Sequence, residues 1–217
     1  MMHKLEADSI QLAFDGRRIL SDIYLKCETG NITGLLGRNG QGKSCLMKII
    51  YGSLKCDKSI RFDNRIQFEA FKRPDLLLYL PQFNFIPPHI RLKRIFSDFD
   101  LDYPSFVDRF PVFTSRYRST IGSLSGGERR LVEIYSVVKS TSQFAMLDEP
   151  FTHLNPIQID KVKDFISEEK QNKGLIITDH MFRHVLDICD NLYLLTNGKT
   201  HLVRTTEEIE ELGYAKV

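Results

Sequence analysis

No stretch of the 217-residue chain approaches the roughly 20 consecutive apolar residues that a membrane-crossing helix needs. The opening residues, MMHKLEADSIQL, lack the apolar core of a secretory leader. The sequence therefore reads as a cytoplasmic protein whose contact with any membrane runs through a partner. Cysteine is scarce as well. The four cysteines, at 27, 45, 56 and 189, show no paired spacing, which argues against both a disulfide framework and a thiolate metal site. An excess of one charge is also missing: 30 Lys and Arg stand against 28 Asp and Glu, a net charge of +2, too even to point to nucleic acid. Internal repeats and low-complexity tracts are absent. What the chain does have is 42% hydrophobic residues, enough for one sizeable core.

The patterning alternates short apolar runs with helical spacing. Leu5 to Leu12 and Ile19 to Cys27 read as extended, separated by the turn signal Asp15-Gly16. ITGLLG (32–37), LLLYL (76–80), FAMLD (144–148) and LIIT (175–178) are continuous apolar runs suited to strands covered on both faces. Leu46, Ile49 and Ile50 fall at helical spacing, with Gly52 as a stop. A helix is expected over Gly126–Lys139. A second follows the cap-and-proline pair Asn155-Pro156, and a third begins at about His180. LYLLT, Asn197-Gly198 and THLV predict a hairpin, and Thr205 with Glu208 predicts a capping box on a last short helix. From 83 to about 121 the texture changes: prolines at 87, 88, 104 and 111, many aromatics, and patches such as RLKRIFSDF predict an inserted, mainly helical segment. Strands alternating with helices indicate a layered α/β core.

Residues 37–44, GRNGQGKS, fit G-x-x-x-x-G-K-[ST] between an apolar strand and a helix, the context that motif requires. Glycines let backbone N–H groups curl around phosphates, and the helix N-terminus adds positive potential. Lys43 would reach the β- and γ-phosphates, and Ser44 would hold Mg²⁺ through its hydroxyl. FAMLDE delivers Asp148 towards the same ion and places Glu149 where it could orient or deprotonate a water. LSGGERR (124–130) puts adjacent glycines at a helix start, although glycine costs roughly 1 kcal/mol inside a helix. An ordinary N-cap by Ser125 would account for that stretch taken alone.

GRNGQGKS, LSGGERR, FAMLDEP and ITDH, in this order, resemble the ATP-binding cassette ATPases, and the resemblance covers essentially the whole chain. It implies a P-loop (RecA-like) α/β core with a parallel sheet, an N-terminal antiparallel β subdomain and a short inserted helical subdomain. One cassette would span 1–217, with its core at 1–82 and 122–217 and the helical part at about 83–121. ATP and Mg²⁺ are the implied ligands. Gly37, Asn39, Gly40, Gly42, Lys43, Ser44 and Cys45 would cradle the phosphates. Ser44, Gln82 and Asp148 would hold the metal, while Glu149, Gln82 and His180 would serve catalysis. Phe14 matches the aromatic that stacks on adenine, a contact that reads base identity poorly; a core aromatic is the competing reading. Ser125, Gly126 and Gly127 would face the nucleotide of a second copy.

The chain also departs from the family pattern. Asn155 stands where aspartate is usual, keeping the helix-capping ability and losing the charge. The span between Lys43 and Ser125 is short, so the helical part is trimmed. FNFIPP (83–88) falls where such cassettes receive a helix of a membrane subunit, and it reads equally well as local core. Cys45, beside Ser44 at a helix start, is either a small packing residue or an oxidation-sensitive thiol. The resemblance implies the energising subunit of a transporter, working as a dimer, most simply a homodimer, on separate transmembrane permease chains at the cytoplasmic face, with no direct nucleic acid. LSGGERRLVEI looks more like the cassettes of lipopolysaccharide-export and branched-chain amino-acid systems than like most others. A soluble single-cassette ATPase acting on a protein scaffold, as in iron–sulfur cluster assembly, is the alternative. Translation or DNA-repair relatives carry two cassettes or a long coiled-coil insertion, which 217 residues do not accommodate.

Overall fold

The computed structural model describes residues 2–214, with Thr206 described by its backbone alone. Strands β1 (Lys4–Phe14), β2 (Arg17–Leu20) and β3 (Tyr24–Glu28) lead to β4 (Ile32–Leu36), helix α1 (Lys43–Tyr51), and the hairpin β5 (Asp57–Phe62) and β6 (Arg65–Ile66). Strand β7 (Leu77–Leu80) precedes helices α2 (Leu92–Asp98), α3 (Tyr103–Arg109) and α4 (Gly126–Lys139). Strand β8 (Phe144–Asp148), helix α5 (Pro156–Glu169), strand β9 (Gly174–Thr178) and helix α6 (Phe182–Leu186) complete the central alternation. The hairpin β10 (Asn191–Thr196) and β11 (Lys199–Val203) and helix α7 (Thr206–Glu211) close the described chain.

Two sheets result. The central one has the order β11-β10-β4-β9-β8-β7, parallel from β10 to β7, with β11 antiparallel at one edge. The other is antiparallel and joins β1, β2, β3, β5 and β6. Because successive side chains alternate sides, Phe144 and Met146 enter one core with α1 and the antiparallel sheet, whereas Ala145 and Leu147 enter another with α4, α5 and the 83–121 segment. Both faces of β4, β8 and β9 are thus covered, which explains their unbroken apolar runs. Gly174 opens β9 because a Cβ there would sit 2.6 Å from the Phe144 ring.

The expected helices and apolar strands are present, with four local differences. The Ile19–Cys27 stretch is broken at Ser21-Asp22, whose N–H groups both donate to Gly198 O and turn the chain between β2 and β3. The β5–β6 hairpin was not anticipated. Its turn residues, Asp63 and Asn64, both have positive φ, the two-residue hairpin geometry such side chains tolerate. Helix α6 begins at Phe182 rather than at about His180, because the Asp179 carboxylate accepts the N–H groups of Met181 (2.9 Å) and Phe151 (3.1 Å) and holds 179–181 as a loop. At α7 the Thr205 side chain makes no cap bond. Glu208 instead accepts from the N–H of Arg204 (2.9 Å), so the expected capping box does not form.

The 83–121 segment holds α2 and α3, each of seven residues, and short 3₁₀ turns. Its aromatic side chains Phe96, Phe106 and Phe113 pack with Tyr135 of α4 and Phe165 of α5 in one core. At the N-terminal ends of β8 and β9, Lys173 is buried and donates to Ser140 O (2.5 Å), the C-cap of α4. An ammonium there complements the helix dipole. Burial pushes that amine down to about 8.

Candidate active site

The C-terminal ends of β4, β7, β8 and β9 open on one edge of the parallel sheet, where α/β folds place their ligands. Each strand delivers part of one cleft of about 600 Å³. After β4 comes the 37–44 loop. Gly40 and Gly42 adopt φ of +80° and +99°, which side-chain-bearing residues rarely take, and Gly42 is the N-cap of α1. No side chain caps α1 and no acidic residue occupies its first turn, so its leading N–H groups face the cleft uncompeted. The Lys43 ammonium donates to Gly37 O at 2.6 Å. Burial lowers its pKa, against the opposing pull of Glu149, Asp148 and Asp179.

Strand β8 ends in Asp148, only 1% exposed. Its Oδ1 accepts from the Ser44 hydroxyl (3.3 Å) and its Oδ2 from the Tyr79 phenol (2.9 Å). Burial raises its pKa, while those two hydrogen bonds oppose the rise. The same burial, with Asp148 beside it, pushes the Tyr79 phenol far above its ordinary value, so it remains a donor. Glu149 follows with φ +50° and its N–H bonded to Thr178 O at 2.7 Å. Gln82, beyond β7, donates from Nε2 to Glu149 Oε2 at 2.9 Å, and His180 Nδ1 stands 3.5 Å from the same oxygen.

The cleft thus gathers Phe14, Asn39, Gly40, Gly42, Lys43, Ser44, Cys45, Gln82, Glu149 and His180 at its walls. Asp148 lies beneath it, bonded to Ser44, and the Gly37 carbonyl is bonded to Lys43. Phe14 is 48% exposed, a ring presented to the cleft rather than a core aromatic. Cys45 both touches the α1-side core and borders the cleft. Ser125, Gly126 and Gly127 do not line the cleft. The Ser125 hydroxyl accepts from Glu128 N–H (3.2 Å) and Glu128 Oε2 accepts from Ser125 N–H (2.8 Å), a complete capping box. Gly127 packs so closely on the 150–155 loop that a Cβ would meet His153 O at 2.8 Å. That loop has its own capping box, between Asn155 and Gln158. In FNFIPP the stripe divides: Ile86 is core, whereas Phe83 is 78% exposed.

Three residues at the site escaped the sequence reading: Tyr79, Asp179 and Arg130. Arg130 of α4, 2% exposed, donates to the carbonyls of Pro81 (2.8 Å), Asp148 (2.8 Å) and Glu149 (3.0 Å). One guanidinium thereby joins the two segments that carry Gln82 and Glu149. The only sequence signals were a tyrosine in an otherwise leucine strand, an acid before His180, and a second arginine in LSGGERR.

Nucleotide-phosphate chemistry is what this arrangement suits, and comparison with known proteins agrees. The family model described as ABC transporter matches residues 20–152, more than half of the chain. The lipopolysaccharide export system ATP-binding protein LptB of Escherichia coli K12 is 32% identical, over 93% of this chain and 90% of its own length. The LptB of Haemophilus influenzae is 28% identical, over 96% and 93%. Among solved structures, an ATP-binding subunit of an ABC transporter superposes with a TM-score of 0.78 at 20% identity, covering 97% of this chain and 93% of its own. The ADP conformation of MJ1267, an ATP-binding cassette of an ABC transporter, gives 0.74 at 22% identity, covering 97% and 94%. The chain therefore belongs to the ABC transporter family, as an ATP-binding and ATP-hydrolysing subunit that energises transport. Among the described residues no helix is long and apolar enough to cross a membrane.

Proposed function

We propose that two copies of this chain close head-to-tail around two ATP molecules and drive separate transmembrane permease subunits from the cytoplasmic face. The observation that carries the reading is the meeting of Lys43, Ser44 with Asp148, and Glu149 with Gln82 and His180 around one cleft. The α1 N-terminus and Lys43 hold the phosphates, and Phe14 supports the base. Glu149 takes a proton from water as the water oxygen bonds to the γ-phosphorus and the bond to the ADP oxygen breaks. Gln82 and His180, both at the Glu149 carboxylate, hold that base in place. Ser125, Gly126 and Gly127 serve the nucleotide of the other copy.

Mg²⁺ fits the donor set. No cluster of three His, Cys, Asp or Glu able to hold a metal occurs among the described residues, but Mg²⁺ is typically held by one or two carboxylates together with substrate phosphates. Ser44 Oγ and Asp148 Oδ1, hard oxygens 3.3 Å apart, supply such a pair, with Gln82 the third candidate. When bound, the ion would neutralise charge on the phosphate oxygens. We assign residues 83–121 as an inserted arm, with exposed Phe83 as its contact to the permease.

The test is Glu149→Gln. Turnover is expected to fall by about 10²–10⁴-fold, the usual contribution of a general base, with an ATP-dependent dimer accumulating on a sizing column. Near-wild-type turnover would sink the assignment. Purified from cells in mild detergent with ATP, the same variant should carry a polytopic membrane protein at matching stoichiometry; a soluble scaffold in its place would overturn the permease reading and leave the hydrolytic chemistry intact.

A further inference from the structure

We propose that Tyr79 is a positioning residue for the metal-holding carboxylate: its phenol fixes Asp148 so that Oδ1 stays beside the Ser44 hydroxyl. The inference rests on the reading of Ser44 and Asp148 as Mg²⁺ ligands.

The geometry begins with strand register. In the parallel pair of β7 and β8, Tyr79 lies opposite Met146, so Asp148 is two residues further along the same face of the sheet. A long side chain at 79 reaches along that face to the carboxylate; leucine, the residue type at 77, 78 and 80, would reach it with no donor. The terminal torsion of an aspartate is broad and roughly two-fold, so rotamer preference alone does not decide where each oxygen points. Its hydrogen bonds do. Here the phenol holds Oδ2 at 2.9 Å, leaving Oδ1 for Ser44. Asp148 is 1% exposed, so water does not replace a lost donor at no cost.

The ring is held as well as the hydroxyl. Tyr79 packs at 5.3 Å on Tyr51, the last residue of α1, whose first turn carries Lys43 and Ser44. One aromatic side chain therefore touches both the helix that presents the phosphate-side ligand and the carboxylate that β8 presents. Partners of this kind orient metal ligands, and their loss typically lowers metal affinity by about 10–100-fold.

Tyr79→Phe removes one O–H and keeps the ring. The test measures binding of a non-hydrolysable ATP analogue by calorimetry, first in EDTA and then across a Mg²⁺ titration. We expect unchanged affinity in EDTA and a Mg²⁺ midpoint about 10-fold higher than in the wild type. An unchanged midpoint would overturn the proposal, as would an affinity loss of equal size with and without Mg²⁺, which would mark a merely structural residue. Should wild-type binding show no Mg²⁺ dependence at all, the assignment of Ser44 and Asp148 falls first, and the role of Tyr79 with it.

Discussion

Helices α1 and α4 both have glycine at their starts, Gly42 as the N-cap of α1 and Gly126 as the first residue of α4, and these starts are finished in opposite ways. At α1 the N-cap is Gly42, with no side-chain cap and no acid in the first turn. At α4 the Ser125–Glu128 box pairs the N–H groups of Ser125 and Glu128 from within the chain, Glu128 places a carboxylate in the first turn, and Lys173 answers at the far end. The open N-terminus sits in the cleft of its own chain; the capped one lies outside it. A helix start left uncapped is an anion site in waiting, whereas a capped one holds an anion only in competition with its own carboxylate. In the proposed dimer, α1 would supply affinity for ATP, and α4 would act later, when a second copy presents its nucleotide.

The contrast breaks most visibly at Lys43. On the proposed role of Lys43, removing its ammonium forfeits charged hydrogen bonds to phosphate of roughly 1.5–3 kcal/mol each, so Lys43→Ala should weaken ATP binding by about 100-fold in equilibrium dialysis. Ser125→Ala should leave that affinity within about two-fold but lower turnover by about 10-fold, with about 1 kcal/mol of stability lost with the cap in chemical denaturation. An affinity loss as large as that of Lys43→Ala would erase the distinction between the two helices. The far end of α4 responds to pH. The folded pKa of Lys173, about 8, lies below the ordinary lysine value of 10.5, so the folded state releases that proton first and the group's contribution to stability rises with pH between those values. Lys173→Met should flatten the denaturant-measured stability change from about pH 7 to about pH 9 by about 1 kcal/mol. Smallest is Asn155→Asp. The N-cap accepts either side chain, so ATP binding should hold and turnover should move by less than about three-fold.

The glycine loop, Asp148, Glu149 and His180 were legible in the sequence because each sits beside the end of an apolar run, where local order suffices. Asn155 and Gly52 were legible as caps for the same reason. Tyr79 and Arg130 were not, because their partners lie 69 and 18–49 residues away and only strand register and helix packing bring them together. The missed β5–β6 hairpin had a local signal in Asp63-Asn64, weakened by the charged residues Asp57, Lys58 and Arg61 in β5, which leave it only two apolar positions. LSGGERR shows how one stretch supports two readings at once: Ser125 is the cap that composition alone would suggest, and Gly127 is small because His153 O leaves no room for a Cβ.

Arg130 carries a consequence for how freely this chain can vary. Its planar fork serves three carbonyls on two segments from two separate nitrogens, a spread that the single nitrogen of a lysine does not reproduce. A lysine there would have to reach both segments from one nitrogen, and an apolar residue would abandon all three carbonyls. Position 130 can therefore change only when Pro81, Asp148 and Glu149 find new partners together. Phe83, largely exposed, is tied to no such set of partners and can follow whatever surface it meets.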